Sequence, residues 1–487
     1  MEISNADLKN RLNANLQPQI IKKTYLIEKR NAIEFLTPER FDLLAKYLYI
    51  FYKERGIKSK FFEDLYSRHI EVFNGFYEAD KSNKIGKEKF LKSFDDLILS
   101  IKEKGIDNNS LIPYSSDNAI LDGAHRIAAS IYFNLEIKCV DLNIKSSNFN
   151  YKYFEKLGLE REYLDQMVLE YINLKSKDLQ LVFLWPTSGG KQEKRVYEIF
   201  EKYGKVVYRK DLYLTKQGSV NLIRNIYEKE KWVGNVKNNY IGAQNKAEWC
   251  FETKSPVRIF LFESDKDMIE MKDNIRKIFN VNKHSIHITD TIEEVENFSK
   301  LVFNSNTIHW LNYSITNKLD WFEKLFKHYN LWLTKNKLPF DDFCIDGSAT
   351  LSVYGIRTAR DLDFLYSGNK SVSTGFKEID CHNTRLENDK TLIDEVVYNP
   401  NNYLYYKNLK FLSLQKLKDF KIKRSENKDL DDVVKIDALL KNKQIKLSIN
   451  KQIKLLFNKS FWIGKVKFFL LKVRYHIVKL KKNAVER

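Results

Sequence analysis

The 487-residue chain reads as a multidomain protein of mixed α/β and α+β class, on three observations. It is too long for one ordinary hydrophobic core, so two to four domains are expected. Short apolar runs bounded by turn signals, such as LQLVFLWP (179–186) and VRIFLFE (257–263), alternate with stretches of helical periodicity such as FLKSFDDLILSIKEKG (90–105). Hydrophobic content of 43%, including many aromatics, is ample for packed cores and excludes wholesale disorder.

Taken in order, residues 1–60 read as helical segments ending near YKERGIKSKF, and 61–110 continue as helix with Gly105 as a C-cap. A short strand, a turn and a second strand follow, then a helix from about residue 124 and a strand near 137–143. The charged stretch 150–178 reads as a helical connector. LQLVFLWP opens a second α/β unit, with helices near 190–203 and 218–230, strands at KVVYR and VRIFLFE, and helices at 266–279 and 291–303. A third unit begins with a helix at 319–337, runs strands to about 410 and closes with a helical segment at 413–442. The expected division is 1–150, 151–312, 313–445 and a tail, 446–487.

The net charge of +19 is unevenly spread: residues 441–487 carry +13, which leaves +6 on the other 440. In the tail, FWIGKVKFFLLKVRYHIVKLKK (461–482) sets Trp462, Val466, Phe469, Leu470, Val473, Ile477 and Leu480 on one helical stripe with cations on the other faces. That is the composition of a helix lying in the surface of an anionic membrane, each cation adding roughly 1 kcal/mol. The alternative is a helix docked on the protein's own core. The four cysteines are scattered with no C-x-x-C spacing, which predicts a reducing compartment and no structural zinc site. The opening residues are polar and no long uncharged apolar run occurs, so the expected location is cytoplasmic, peripheral on the inner face of a bacterial inner membrane.

The third unit holds the strongest chemical signal, IDGSATLSVYGIRTARDLDFLY (345–366). Gly347-Ser348 at a strand-to-helix junction lets backbone approach a phosphate. Asp361 and Asp363, one residue apart on a strand, point to one face, and two like charges side by side call for a cation or a proton. A divalent metal, Mg²⁺ or Mn²⁺, is the expected resolution. This pattern resembles the nucleotidyltransferase superfamily of the polymerase-β type, in its small bacterial branch, over roughly 319–442. The resemblance implies that Gly347 and Ser348 hold nucleotide phosphates and that Asp361 and Asp363 hold the metal. It also implies that Lys421 and Lys428, and Arg357 with them, reach the triphosphate of ATP or CTP. The family's third carboxylate is not obvious; Asp380 is the first choice, with Glu378 and Asp394 behind it.

ILDGAHRIAAS (120–130) places Asp122 and Gly123 at a strand end and His125 and Arg126 in a helix's first turn, the makings of an anion pocket. The segment 105–143 resembles the ParB/sulfiredoxin-like fold, which implies phosphate binding by that loop and, in some members, kinase activity. Glu78 and Lys84 are upstream candidates to complete such a site. In the middle unit, TSGGK (187–191) lacks Walker spacing and reads as a turn and helix cap. His284, His287, Asp290 and His309 cluster in sequence, but structural roles are favoured, with Thr289 or Asp290 capping the helix at 291.

These readings predict a Mg²⁺-dependent nucleotidyl- or phosphoryltransferase. Its acceptor would be a small molecule or glycan precursor, in capsule or lipopolysaccharide assembly. One alternative is a toxin- or defence-type nucleotidyltransferase modifying RNA or protein. Another is a non-catalytic ParB-like DNA-binding protein. A nucleic-acid partner is not expected, because the body carries only +6 and no helix-turn-helix spacing follows residue 143.

Overall fold

The computed structural model describes residues 2–78, 84–175, 177–315, 320–370 and 372–442, with Val466, Phe469 and Leu470 beyond. The structure is mixed α/β, with three separate sheets, each wrapped by helices.

The N-terminal sheet has the order β1-β2-β4-β3, from Glu2–Ser4 (β1), Thr24–Asn31 (β2), Ile112–Tyr114 (β3) and Glu136–Asp141 (β4). Its helices are Asn5–Arg11 (α1), Asp42–Glu54 (α2), Phe61–Asn74 (α3), Lys87–Lys104 (α4) and Ala124–Tyr132 (α5). The first 60 residues are therefore not all helical. In TYLIEKRN, Tyr25 and Ile27 alternate inward, but Glu28, Lys29 and Arg30 are helix formers on propensity alone, and sheet pairing overrides them. A second strand near Ile120 is reduced to a single bridge to Tyr114.

Helices Tyr151–Lys156 (α6) and Arg161–Lys175 (α7) lead into the middle unit. They are no free-standing connector: Leu164, Met167 and Tyr171 are fully buried in the main core. The middle sheet has the order β6-β7-β5-β8, from Leu179–Leu184 (β5), Lys205–Leu212 (β6), Val257–Glu263 (β7) and Ile286–Ile288 (β8). All of its pairings are antiparallel. Apolar runs mark buried strands without marking their direction. Glu193–Tyr203 (α8) and, further along, Met268–Phe279 (α11) cover one face through Val196, Phe200, Met271 and Ile275. Lys216–Ile226 (α9), Ile241–Cys250 (α10) and Ile292–Val302 (α12) cover the other. The cap of α12 is Thr291, whose hydroxyl accepts from the Glu294 N–H; Thr289 instead accepts from the Leu181 N–H.

Ser305–Tyr313 (α13) and Asp320–Lys335 (α14) enter the C-terminal unit. Its sheet has the order β11-β10-β9-β13-β12, from Phe343–Asp346 (β9), Leu362–Tyr366 (β10), Ile379–Cys381 (β11), Tyr403–Tyr406 (β12) and Leu409–Leu412 (β13). Ser348–Val353 (α15) and Lys390–Tyr398 (α16) join the strands. Leu414–Arg424 (α17) and Asn427–Leu440 (α18) then form a cap, divided where Ser425 takes a left-handed conformation at φ 57°.

One buried cluster runs from Ala32 to Leu439, through all three units. Arg55 pairs with Asp342 at 2.7 Å, and the Lys58 N–H donates to Asp394 at 2.9 Å, tying the first unit to the third. Cys139, Cys250 and Cys344 are buried free thiols and Cys381 is half-buried. Among the described residues no helix is long and apolar enough to cross a membrane. The stripe at 461–482 lies outside the described residues, except that Val466, Phe469 and Leu470 are exposed.

Candidate active site

The register of the C-terminal sheet gathers carboxylates. Asp363 on β10 sits opposite Asp346 on β9 and beside Asp380 on β11. Asp361 immediately precedes β10 and is exposed, whereas Asp363 is 9% exposed. Gly347 turns the chain from β9 into α15 at φ +67°, and a Cβ there would lie 2.9 Å from Asp363 Oδ2. Only glycine suits both the backbone conformation and that close approach. Ser348 Oγ donates to Asp361 Oδ1 at 3.5 Å.

Burial, followed by the charges of Asp361 and Asp346, pushes the Asp363 carboxyl up to about 7. Two residues that the sequence reading missed hold this group. Arg385 donates through Nη1 to Asp346, which is wholly buried, and through Nη2 to His382 Nδ1 at 2.8 Å, the same Nη2 lying 4.0 Å from Asp363 Oδ2. Because a guanidinium only donates, Nδ1 accepts, and the neutral ring carries its proton on Nε2, which is 3.3 Å from Asp363 Oδ1. Burial and Arg385 both lower the His382 pKa, consistent with a neutral ring. Asp346 was legible beside Gly347 in IDGS; Arg385 and His382 follow a loop whose length hides their return to the sheet.

These groups open on a cleft of about 720 Å³ between the sheet and the α17–α18 cap. Gly347, Ser348, Arg357, Asp361, Asp363, Lys421 and Lys428 all line it. Their roles differ. Lys421 is 4% exposed and closed between Asp429 and Asp432, both at 2.8 Å, so it braces the cap and does not extend into the cleft. Arg357 is bidentate to Asp432 at 2.9 Å. Lys428 is exposed, with only the solvent-facing Glu426 at 2.9 Å. Lys423 and Lys435 also line the cleft, and among the described residues neither pairs with a carboxylate. Of the other third-carboxylate candidates, Asp394 is buried under Lys390 and Ser367 with the Lys58 N–H, away from the cleft, and Glu378 is exposed. Among the described residues no three His, Cys, Asp or Glu side chains are gathered as a metal cage. The donor set still suits a hard divalent cation: Asp361 and Asp363 offer carboxylate oxygens, and the burial and acidic neighbours that raise the Asp363 pKa are a cost that a bound cation would relieve.

The N-terminal loop is arranged differently. Asp122 accepts from the Gly123 N–H at 2.7 Å, and Gly123 takes φ +84°. Arg126 donates to Ser110 Oγ at 2.8 Å and lies 3.8 Å from Asp122. His125 is turned inward: its Nε2 bonds the Tyr66 hydroxyl at 2.9 Å and its ring packs edge-on to Phe94. Burial, with Lys46 nearby, holds its pKa well below the ordinary value, so it is a neutral brace at pH 7. Asp122, Gly123 and Arg126 thus meet at the loop and His125 does not join them as a cation. Glu78 and Lys84 pair with each other at 3.0 Å. In the middle unit His309 binds Tyr354 and the Leu439 carbonyl, apart from His284, His287 and Asp290. Compared with known proteins, the chain matches no family model, no curated protein and no solved structure.

Proposed function

We propose that the chain is a metal-dependent nucleotidyltransferase acting from the cleft between β9–β11 and α17–α18. The observation that carries this reading is the convergence of Gly347, Ser348, Asp361 and Asp363 on one basic-walled cleft, with Asp380 next to Asp363 in strand register. In this reading the C-terminal unit is of nucleotidyltransferase type and the N-terminal unit of ParB/sulfiredoxin-like type. Asp361 and Asp363 hold Mg²⁺ or Mn²⁺, which supplies Lewis-acid polarisation of the phosphates and charge neutralisation.

The residues do the rest. The Gly347 backbone and Ser348 hydroxyl seat the phosphates of a nucleoside triphosphate, ATP or CTP. Lys428, Lys423 and Lys435 offset the triphosphate charge. Asp380 takes the proton of the acceptor hydroxyl as its oxygen attacks the α-phosphorus in line; a new P–O bond forms, the α–β bridge breaks and pyrophosphate leaves. A small-molecule or glycan acceptor fits better than RNA, because the described body is only weakly basic. The tail at 461–482 would hold the enzyme at an anionic membrane surface, where capsule or lipopolysaccharide precursors are assembled.

The test is pyrophosphate release with each nucleoside triphosphate and Mg²⁺ in the presence of sugar and sugar-phosphate acceptors. Asp361→Asn/Asp363→Asn is expected to lose at least about 100-fold in kcat/KM with unchanged Tm. Equal turnover in wild type and double variant would end the assignment.

A further inference from the structure

A second cavity, of about 1160 Å³, lies in the middle unit and takes no part in the chemistry above. It opens along β8, the edge strand that pairs only with β5, where α11 from one face of the sheet meets α10 from the other. The helices aim cations at it: Lys246 from α10, and Lys272 and Arg276, one turn apart, from α11. Against them the lining offers Asp290 and Glu230 as carboxylates; Arg276 also pairs with Asp273 at 3.0 Å, and Lys246 donates to the Lys283 carbonyl at 2.7 Å. Concentrating like charge in a partly dry pocket is costly unless an anion answers it. Burial lowers the pKa of both Lys246 and Lys272, which is that cost expressed on the side chains.

A second observation is independent of the charge. His287, on β8, is 9% exposed and lines the cavity. Its Nδ1 engages the Tyr227 hydroxyl at 3.3 Å, while among the described residues the buried Nε2 has no partner, and neither has the Arg276 Nε. Buried polar atoms are almost always satisfied, and two orphans on residues lining one cavity point to a place where a ligand could supply the missing bonds. The walls are aromatic: Trp232 leans on Tyr227 at 5.2 Å, and Trp249 stacks on His284 at 5.3 Å with 20° between planes. Flat apolar walls beside a few convergent polar groups are how proteins hold ring-bearing ligands.

We infer that this cavity is a binding site for a ring-bearing phosphate ester, its phosphate held by Lys246, Lys272, Arg276 and His287 and its ring laid against Trp232 and Trp249. A nucleoside phosphate and a sugar phosphate share that chemistry. The site is separate from the C-terminal cleft and stands whether or not the cleft transfers nucleotides.

The experiment uses the full chain carrying Asp361→Asn/Asp363→Asn, in EDTA, so that binding at the cleft is removed. Calorimetric titration with UMP, glucose 1-phosphate and inorganic phosphate is expected to show both or one of the ring-bearing probes binding at least about tenfold more tightly than phosphate alone. UMP ahead identifies a nucleoside ligand, and glucose 1-phosphate ahead a sugar. Lys272→Glu should weaken that binding at least about tenfold with Tm unchanged. His287→Leu should weaken it too, at least about tenfold. No binding of either ring-bearing probe at millimolar concentration would overturn the proposal, as would binding that both variants retain in full.

Discussion

At the scale of single residues, the C-terminal cleft is governed by one arginine. Asp346 is fully buried one residue before Gly347, and Arg385 is its cationic partner. The same guanidinium orients His382, whose Nε2 proton faces Asp363. Arg385→Ala therefore strands a buried carboxylate, and the expected cost is about 3–5 kcal/mol, read from urea unfolding. Arg385→Lys should recover only part of this, because an ammonium cannot span Asp346, His382 and Asp363 in the planar fork of a guanidinium. Equal stability of the wild type and Arg385→Ala would mean that the Asp346 contact contributes little.

At the scale of elements, the α17–α18 cap separates lysines that look alike in sequence. FLSLQKLKDFKIKRSENKDLDDVVKI carries Lys421, Lys423, Lys428 and Lys435 within fifteen residues, and nothing in their spacing says which is buried. The left-handed turn at Ser425 folds α18 back on α17, so Lys421 meets Asp429 and Asp432 while Lys428 faces outward. Arg424 and Lys421 hold the Asp429 carboxyl well below the usual carboxylate range. Lys421→Met should destabilise the cap by about 3 kcal/mol or more, whereas Lys428→Ala should stay within about 0.5 kcal/mol and, under the proposed nucleotidyltransferase function, instead raise KM for the triphosphate. The reverse pattern in unfolding and kinetics would exchange their roles.

The same contrast shows what the sequence makes legible. Strand β10 with Asp363, and Asp361 just before it, were readable because alternation and a glycine turn are local signals. Helices from α11 to α14 with clear periodicity were readable for the same reason, although α13 was missed inside a polar stretch. The β2 strand, the antiparallel direction of the middle sheet and the partners of Lys421 depend on which segments meet across the fold. So does Arg385, whose target lies 39 residues earlier. No local pattern carries that information.

At the scale of the whole molecule, the main buried cluster joins all three units, so acid acts on connected parts of one body. Burial holds His69 and His125 well below their ordinary pKa, His284 down at about 4 and His287 at about 3. These rings stay neutral in the folded state, while the unfolded chain takes up a proton on each as pH falls below about 6.5. The unfolded state then binds more protons, so stability is full above that pH and is lost as pH falls toward the folded values. Burial acts oppositely on Glu170 and Asp363, both raised to about 7: their folded-state penalty is relieved as pH falls from 7 toward 4, which partly offsets the histidines. From pH 7.5 to pH 5, His287 alone should cost about 2 kcal/mol. His287→Leu isolates it from the opposing carboxyls: the unfolding free energy of the variant minus that of wild type should shift by that amount in the variant's favour at pH 5, and a difference independent of pH would show that this ring does not stay neutral in the fold.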